Sequence, residues 1–144
     1  MPVPGLTHLE ANAIQVTLAG KPVIVLAAYL SSSRPLIGAD LTACFGGEPP
    51  VLMAGDFNAI HVDWNSRLST RRGKLLRDYA DENSCLIFGP DTPTTNPCNP
   101  SATADVLDIV ITKNLSTGPT SKLIWKIKFC STRNAQRDGN RNVR

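Results

Sequence analysis

The chain has 144 residues and a formal net charge of +3, with 42% apolar and 19% charged residues. That length suits one domain, and the balance of apolar to charged residues excludes a disordered or collagen-like chain. No apolar run reaches the roughly 18 residues that cross a bilayer, and the opening "MPVPGLTHLE" lacks a basic stretch ahead of an apolar core, so neither a membrane span nor a secretory signal is expected.

The first predicted element is "AIQVTL" (13–18), whose alternation of apolar and polar residues reads as a strand. "KPVIVLAAYL" (21–30) is a continuous, largely β-branched run of the kind covered on both faces, and the intervening "AGK" suits a tight hairpin turn. A short helix is predicted over Leu36–Phe45, stopping at Gly46-Gly47, followed by a buried strand in "PPVLMAG" (49–55). "TRRGKLLRDYADENS" (70–84) is the clearest helix, with Leu75, Leu76, Tyr79 and Ala80 on its apolar face. "CLIF" (85–88) reads as a strand, "GPDTPTTNPCNPSAT" as a loop, and "DVLDIVIT" (105–112) and "KLIWKIKF" (122–129) as further strands. From Cys130 onward no hydrophobic period remains, so 130–144 is expected to be a disordered tail. The whole is an α/β chain.

Two distributions qualify this outline. From Lys113 to Arg144 there are eight Lys or Arg and one acidic residue, Asp138, a pattern that either binds phosphate backbones or is simply solvated. Cys44, Cys85, Cys98 and Cys130 show no CxxC spacing; free thiols are favoured over a disulfide or zinc, which points to a reducing compartment.

Chemistry enters at "VLMAGDFNAIHVDW" (51–64), where an apolar strand stops at Gly55 and Asp56 and Asn58 follow. Side chains at the carboxyl end of a buried strand emerge where α/β proteins keep their sites, and on extended backbone residues two apart point the same way. A carboxylate there can hold a hard cation or take a proton from water, and a carboxamide can orient that water or donate to a phosphoryl oxygen. The plainer alternative is an Asx turn closing the strand. Asp108 interrupts an apolar strand between Leu107 and Ile109, where an unpaired charge would cost several kcal/mol; it needs a partner unless that side faces solvent. Tyr29 ends its strand with its hydroxyl at the same rim or at the edge of the core, and His61 is either a ligand or a structural loop residue.

In chain order, "AAYL", "GDFNAIHVDWNSR", "RGKLLRDYADENS" and "ADVLDIVIT" resemble the endonuclease/exonuclease/phosphatase superfamily, the fold of DNase I and the apurinic endonucleases. The segment through Trp64 is most similar to the endonuclease domain of jockey-like non-LTR retrotransposons, and the likeness covers about residues 9–115. The resemblance implies a partial DNase I-like four-layer α/β sandwich over 9–129, DNA as partner, no membrane, a monomer or part of a larger polyprotein with reverse transcriptase, and a nuclear or cytoplasmic place. It also implies that Asp56 positions the nucleophile, Asn58 orients it and contacts phosphate, Tyr29 hydrogen-bonds the scissile phosphate, and Asp108 polarises a histidine, with Trp64 packing the loop behind.

The superfamily's magnesium-binding glutamate and its closing histidine find no counterpart here: nothing before Leu9 supplies the first and no histidine follows Asp108. The resemblance therefore implies a weak Mg²⁺ site at Asp56 and Asn58 and a truncated, inactive endonuclease domain. The alternatives are a dead remnant that at most binds nucleic acid and, less favoured, another phosphodiesterase of the superfamily. Strands 21–30, 51–56 and 105–112 should be neighbours that bring Asp56, Asn58, Tyr29 and Asp108 to one rim.

Overall fold

The computed structural model describes residues 1–95, 98–99 and 101–115; the strand expected at 122–129 and the tail expected at 130–144 lie outside the described residues. Seven elements follow in order: β1 (Glu10–Leu18), β2 (Lys21–Tyr29), α1 (Gly38–Phe45), β3 (Val51–Asp56), α2 (Arg71–Glu82), β4 (Cys85–Phe88) and β5 (Asp108–Lys113). The strands form one mixed sheet in the order β1-β2-β3-β5-β4. β2 and β3 are parallel and every other neighbouring pair is antiparallel.

The β1–β2 hairpin turns on Ala19 and Gly20, with φ of 49° and 77°. Two successive positive φ values belong to the primed turns, whose twist matches that of paired strands. Parallel pairing of β2 with β3 needs a crossover, and α1 supplies it. Alternation then sorts the sheet into two faces. Leu26, Met53, Ile109 and Ile111 form one buried core with Leu41 and Phe45 of α1 and Leu76 and Ala80 of α2. Val25, Leu52 and Val110 point to the other face, which ends at Tyr29, Asp56 and Asp108.

Two expectations need correction. β5 begins at Asp108 rather than 105. The Thr94 hydroxyl accepts the N–H groups of Leu107 and Asp108 at 2.9 and 3.1 Å, and the carbonyl of Asp105 accepts those of Thr94 and Thr95, so this stretch pairs with residues 94–95 before it reaches β3. Val106 consequently packs in the helix-side core and does not share a face with Val110. On α2, Leu75 was expected on the apolar face but is 37% exposed. The buried row runs through Gly73, Leu76 and Ala80 instead.

α2 docks closely at its start. Thr70 caps it by accepting the N–H of Gly73 at 3.2 Å, and also donates its own N–H to the carbonyl of Ile60 at 2.9 Å. A Cβ on Gly73 would lie 1.9 Å from that same carbonyl oxygen, so glycine is required by the contact. The charges of α2 run against its macrodipole: Arg71, Arg72 and Lys74 open it, Asp81 and Glu82 close it, and neither end carries the compensating sign.

Asp40 in the first turn of α1 is 1% exposed and accepts the backbone N–H groups of Thr7, His8 and Leu9 at 2.8, 2.8 and 2.9 Å. Burial pushes its carboxyl up, but the three amides, with His8 adding to them, outweigh that and hold it below the usual carboxylate range. Cys44, Cys85 and Cys98 are free thiols, and burial, with Asp40 adding, pushes the Cys44 thiol up to about 11.

Replacing Asp40 by Ala should strand three inward-facing amides and lower stability by on the order of 3 kcal/mol, read by urea unfolding at pH 7. Because its folded-state value is lowered, the contribution of Asp40 is present above the ordinary carboxylate range and is lost as pH falls through the lowered value. The difference between wild type and Asp40→Ala should therefore shrink only in strong acid.

Candidate active site

The sheet register places three of the expected side chains in one line. Tyr29 of β2 lies directly opposite Asp56 of β3, and Asp56 directly opposite Asp108 of β5. Directly paired residues share a face, with Cβ atoms about 5 Å apart across an antiparallel pair. Residues separated by up to 79 positions thus converge at one rim because three strands end or begin at the same level. Tyr29 is 47% exposed, while Asp56 and Asp108 are half-buried.

Gly55 makes this alignment possible. A Cβ there would lie 1.7 Å from the carbonyl oxygen of Ala28, so only glycine lets β3 approach β2 this closely just before Asp56.

Asn58 joins the rim by a route different from strand alternation. β3 ends at Asp56, and Asn58 has left-handed backbone at φ 46°, a conformation asparagine tolerates. Its N–H donates to Asp56 Oδ1 at 2.8 Å, which is an Asx turn. Its carboxamide Nδ2 donates to the carbonyl of Leu30 at 2.8 Å, while the Leu30 N–H donates to the carbonyl of Asp56 at 2.8 Å. The turn and the site are therefore the same feature. One oxygen of Asp56, one hydrogen of the Asn58 NH₂ group and its Oδ1 remain available for other contacts.

Burial pushes the Asp56 carboxyl up; the Asn58 N–H draws it down, the neighbouring Asp108 carboxylate raises it again, and Arg72 lowers it. The net direction is upward.

Behind the rim, Trp64 is fully buried and donates its indole Nε1–H to the carbonyl of Ala59 at 2.9 Å. Its ring meets His61 at 4.9 Å between centroids, and His61 Nδ1 accepts the N–H of Asp63 at 3.1 Å. His61 thus caps the short 3-10 turn Val62–Trp64.

Arg72 escaped the sequence reading. Its Nη1 donates to the carbonyls of Ser31 and Phe57, both at 3.3 Å, and its Nη2 to those of Ser32, at 3.2 Å, and Arg34. The available signal was a second arginine in the first turn of a helix, where the macrodipole disfavours it.

The donor set does not fit the magnesium ion that the resemblance implies. Among the described residues, no group of three or more His, Cys, Asp or Glu side chains lies together to hold a metal. Asp56 already spends one oxygen on the Asx turn.

A five-stranded mixed sheet carrying two helices on one face, with this carboxylate rim at the strand ends, is an α/β fold of the DNase I-like endonuclease/exonuclease/phosphatase superfamily. More narrowly, the chain belongs to the endonuclease–reverse transcriptase family, whose profile matches residues 23–129. Among solved structures it is similar in fold to the endonuclease domain of TRAS1, a telomere-specific non-LTR retrotransposon, at 16% identity and a TM-score of 0.61. That match covers 74% of this chain and 51% of the other, so the chain spans about half the length of the structure it matches. Comparison with curated proteins gives no match. Among the described residues no helix is long and apolar enough to cross a membrane.

The raised Asp56 carboxyl yields a signed expectation. A carboxyl with a raised folded-state value stabilises the fold only while protonated, and that contribution is lost as pH rises through the raised value. Asp56→Asn keeps an oxygen for the Asn58 N–H and removes the charge. The variant should melt higher than wild type at pH 7, with the gain disappearing below about pH 3.5, where an ordinary carboxyl is also protonated. Thermal unfolding followed by circular dichroism across that range checks both halves.

Proposed function

We propose that this chain is the endonuclease part of a non-LTR retrotransposon polyprotein that also carries a reverse transcriptase, akin to jockey-like elements, and that its substrate is a DNA phosphodiester. Family membership supports the class, and the observation that carries the site is the line of Tyr29, Asp56 and Asp108 across three strands, with Asn58 folded back beside them. The Tyr29 hydroxyl and the spare Asn58 N–H are donors suited to phosphoryl oxygens, and the spare Asp56 oxygen can accept a proton from an attacking water. The domain on this reading occupies 9–129. The basic residues from Lys113 onward would add affinity for phosphate backbone that weakens with salt.

On this reading the chain as given binds better than it cuts. Magnesium is the cation the family reading calls for, but two carboxylates, one of them already engaged, make a poor site for an ion that gives up its waters reluctantly. Of the two histidines of the sequence, His8 lies beside Asp40 and His61 caps its turn against Trp64, and neither is bonded to Asp108. Asp108 accordingly has no imidazole to polarise. Loss of one such group commonly costs about 10²-fold or more, and losses of groups that act together need not add.

In Mg²⁺, the protein should leave supercoiled plasmid essentially intact, and Asp56→Ala should behave identically. Strong nicking that disappears in Asp56→Ala would show a complete catalytic site and overturn the inactive reading. Absence of any binding to duplex DNA at low salt would overturn DNA as the substrate of this chain.

A further inference from the structure

β2 and β3 run parallel up to Tyr29 and Asp56, and then their chains diverge, β2 toward α1 and β3 toward the 3-10 turn. Past that point the sheet ladder no longer supplies donors, and backbone carbonyls left without partners carry a desolvation cost. Four bonds continue the connection. The Leu30 N–H reaches the Asp56 carbonyl, the Asn58 carboxamide reaches the Leu30 carbonyl, and then Arg72 Nη1 reaches the carbonyls of Ser31 and Phe57 together. Its Nη2 secures the carbonyls of Ser32 and Arg34 on the same loop.

We infer that Arg72 is a positioning residue of the rim. Its guanidinium stands in for the missing ladder bonds, holding the Tyr29 end of β2 and the Asp56–Asn58 turn at a fixed separation for a phosphate group to bridge. The inference rests on the proposed function only in that last clause; the brace itself is independent of what binds.

Three features make arginine the fitting residue. A planar guanidinium presents five N–H donors in a fork, so one side chain can reach carbonyls on two chain segments at once. Lysine offers three donors on a single nitrogen and cannot reach all four carbonyls. The anchor is also stiff: Gly73, the next residue, packs its backbone on the carbonyl of Ile60, and Thr70 binds the same carbonyl, so the first turn of α2 is seated on the loop that follows Asn58. Finally, the guanidinium is the positive group that draws the Asp56 carboxyl down against the pull of burial and Asp108.

Amide hydrogen exchange on the whole chain tests the brace without requiring activity. Arg72→Lys and Arg72→Gln should each speed exchange at the backbone amides of Leu30 and Asn58 by about tenfold or more, while Leu26, Met53 and Ile111 in the sheet stay unchanged. Arg77→Ala is the control, since it removes the other buttressing arginine of α2, which pairs with Asp63 and Asp81 away from the rim. It should leave Leu30 and Asn58 unaffected. Equal acceleration by Arg77→Ala, uniform acceleration across the sheet, full protection in Arg72→Gln, or rescue by Arg72→Lys would each overturn the proposal. Duplex oligonucleotide binding by fluorescence anisotropy separates the two readings: wild type that fails to bind defeats the proposed function while local exchange in Arg72→Gln still upholds the brace.

Discussion

The structure depends on how two parallel strands are allowed to come together and then to separate. Gly55 lets β3 meet β2 without a Cβ against the Ala28 carbonyl, and the register that results sets Tyr29, Asp56 and Asp108 level. One residue later the strands part. A sheet end of this kind exposes carbonyls in a half-buried place, and this chain fills the need with side chains: Asn58 on Leu30 and Arg72 on four further carbonyls. At the rim, Asp56 and Asn58 are each bonded to backbone on one side and keep polar atoms free on the other, the form a preorganised site takes.

Two carboxylates, one buried and one half-buried, show how differently the fold treats the same group. Asp40 is enclosed but satisfied by three amides, so its charge stabilises the molecule. Asp56 has a single backbone N–H, a second carboxylate beside it and only partial relief from the Arg72 guanidinium, so its charge works against the fold. The first arrangement ties residues 7–9 to α1 and explains itself. The second leaves an unbalanced charge at the strand ends, on the rim where the proposed substrate would lie.

Much of this was legible in the residues. A run with β-branched residues marked β2, short apolar runs marked β3 and β4, and Asp56 stood out at the exit of one apolar strand and Asp108 inside another. Other features were hidden for physical reasons. The start of β5 depends on the Thr94 hydroxyl, which lies in a loop without any periodic signal. Asn58 reaches the rim through left-handed backbone, so reasoning from strand alternation gave the right neighbour by the wrong geometry. Arg72 looked like one more charge on a solvated helix face, because its partners are carbonyls, and every residue has one of those. Leu75 was misplaced because the apolar stripe turns through Gly73, a residue without a side chain to announce it.

The reversed charges of α2 make the helix depend on the sheet. A segment with Arg71, Arg72 and Lys74 at its positive end and Asp81 and Glu82 at its negative end gains little from being helical by itself, and twelve residues are too few for propensity to compensate. Its helicity is supplied from outside, by burial of Leu76 and Ala80, by the seat on Ile60 and by the carbonyls that Arg72 finds. Those carbonyls exist in the right places only after β2 and β3 have paired. Helix and sheet are therefore coupled through one side chain, since Arg72 in the first turn of α2 holds carbonyls on both sides of Asp56.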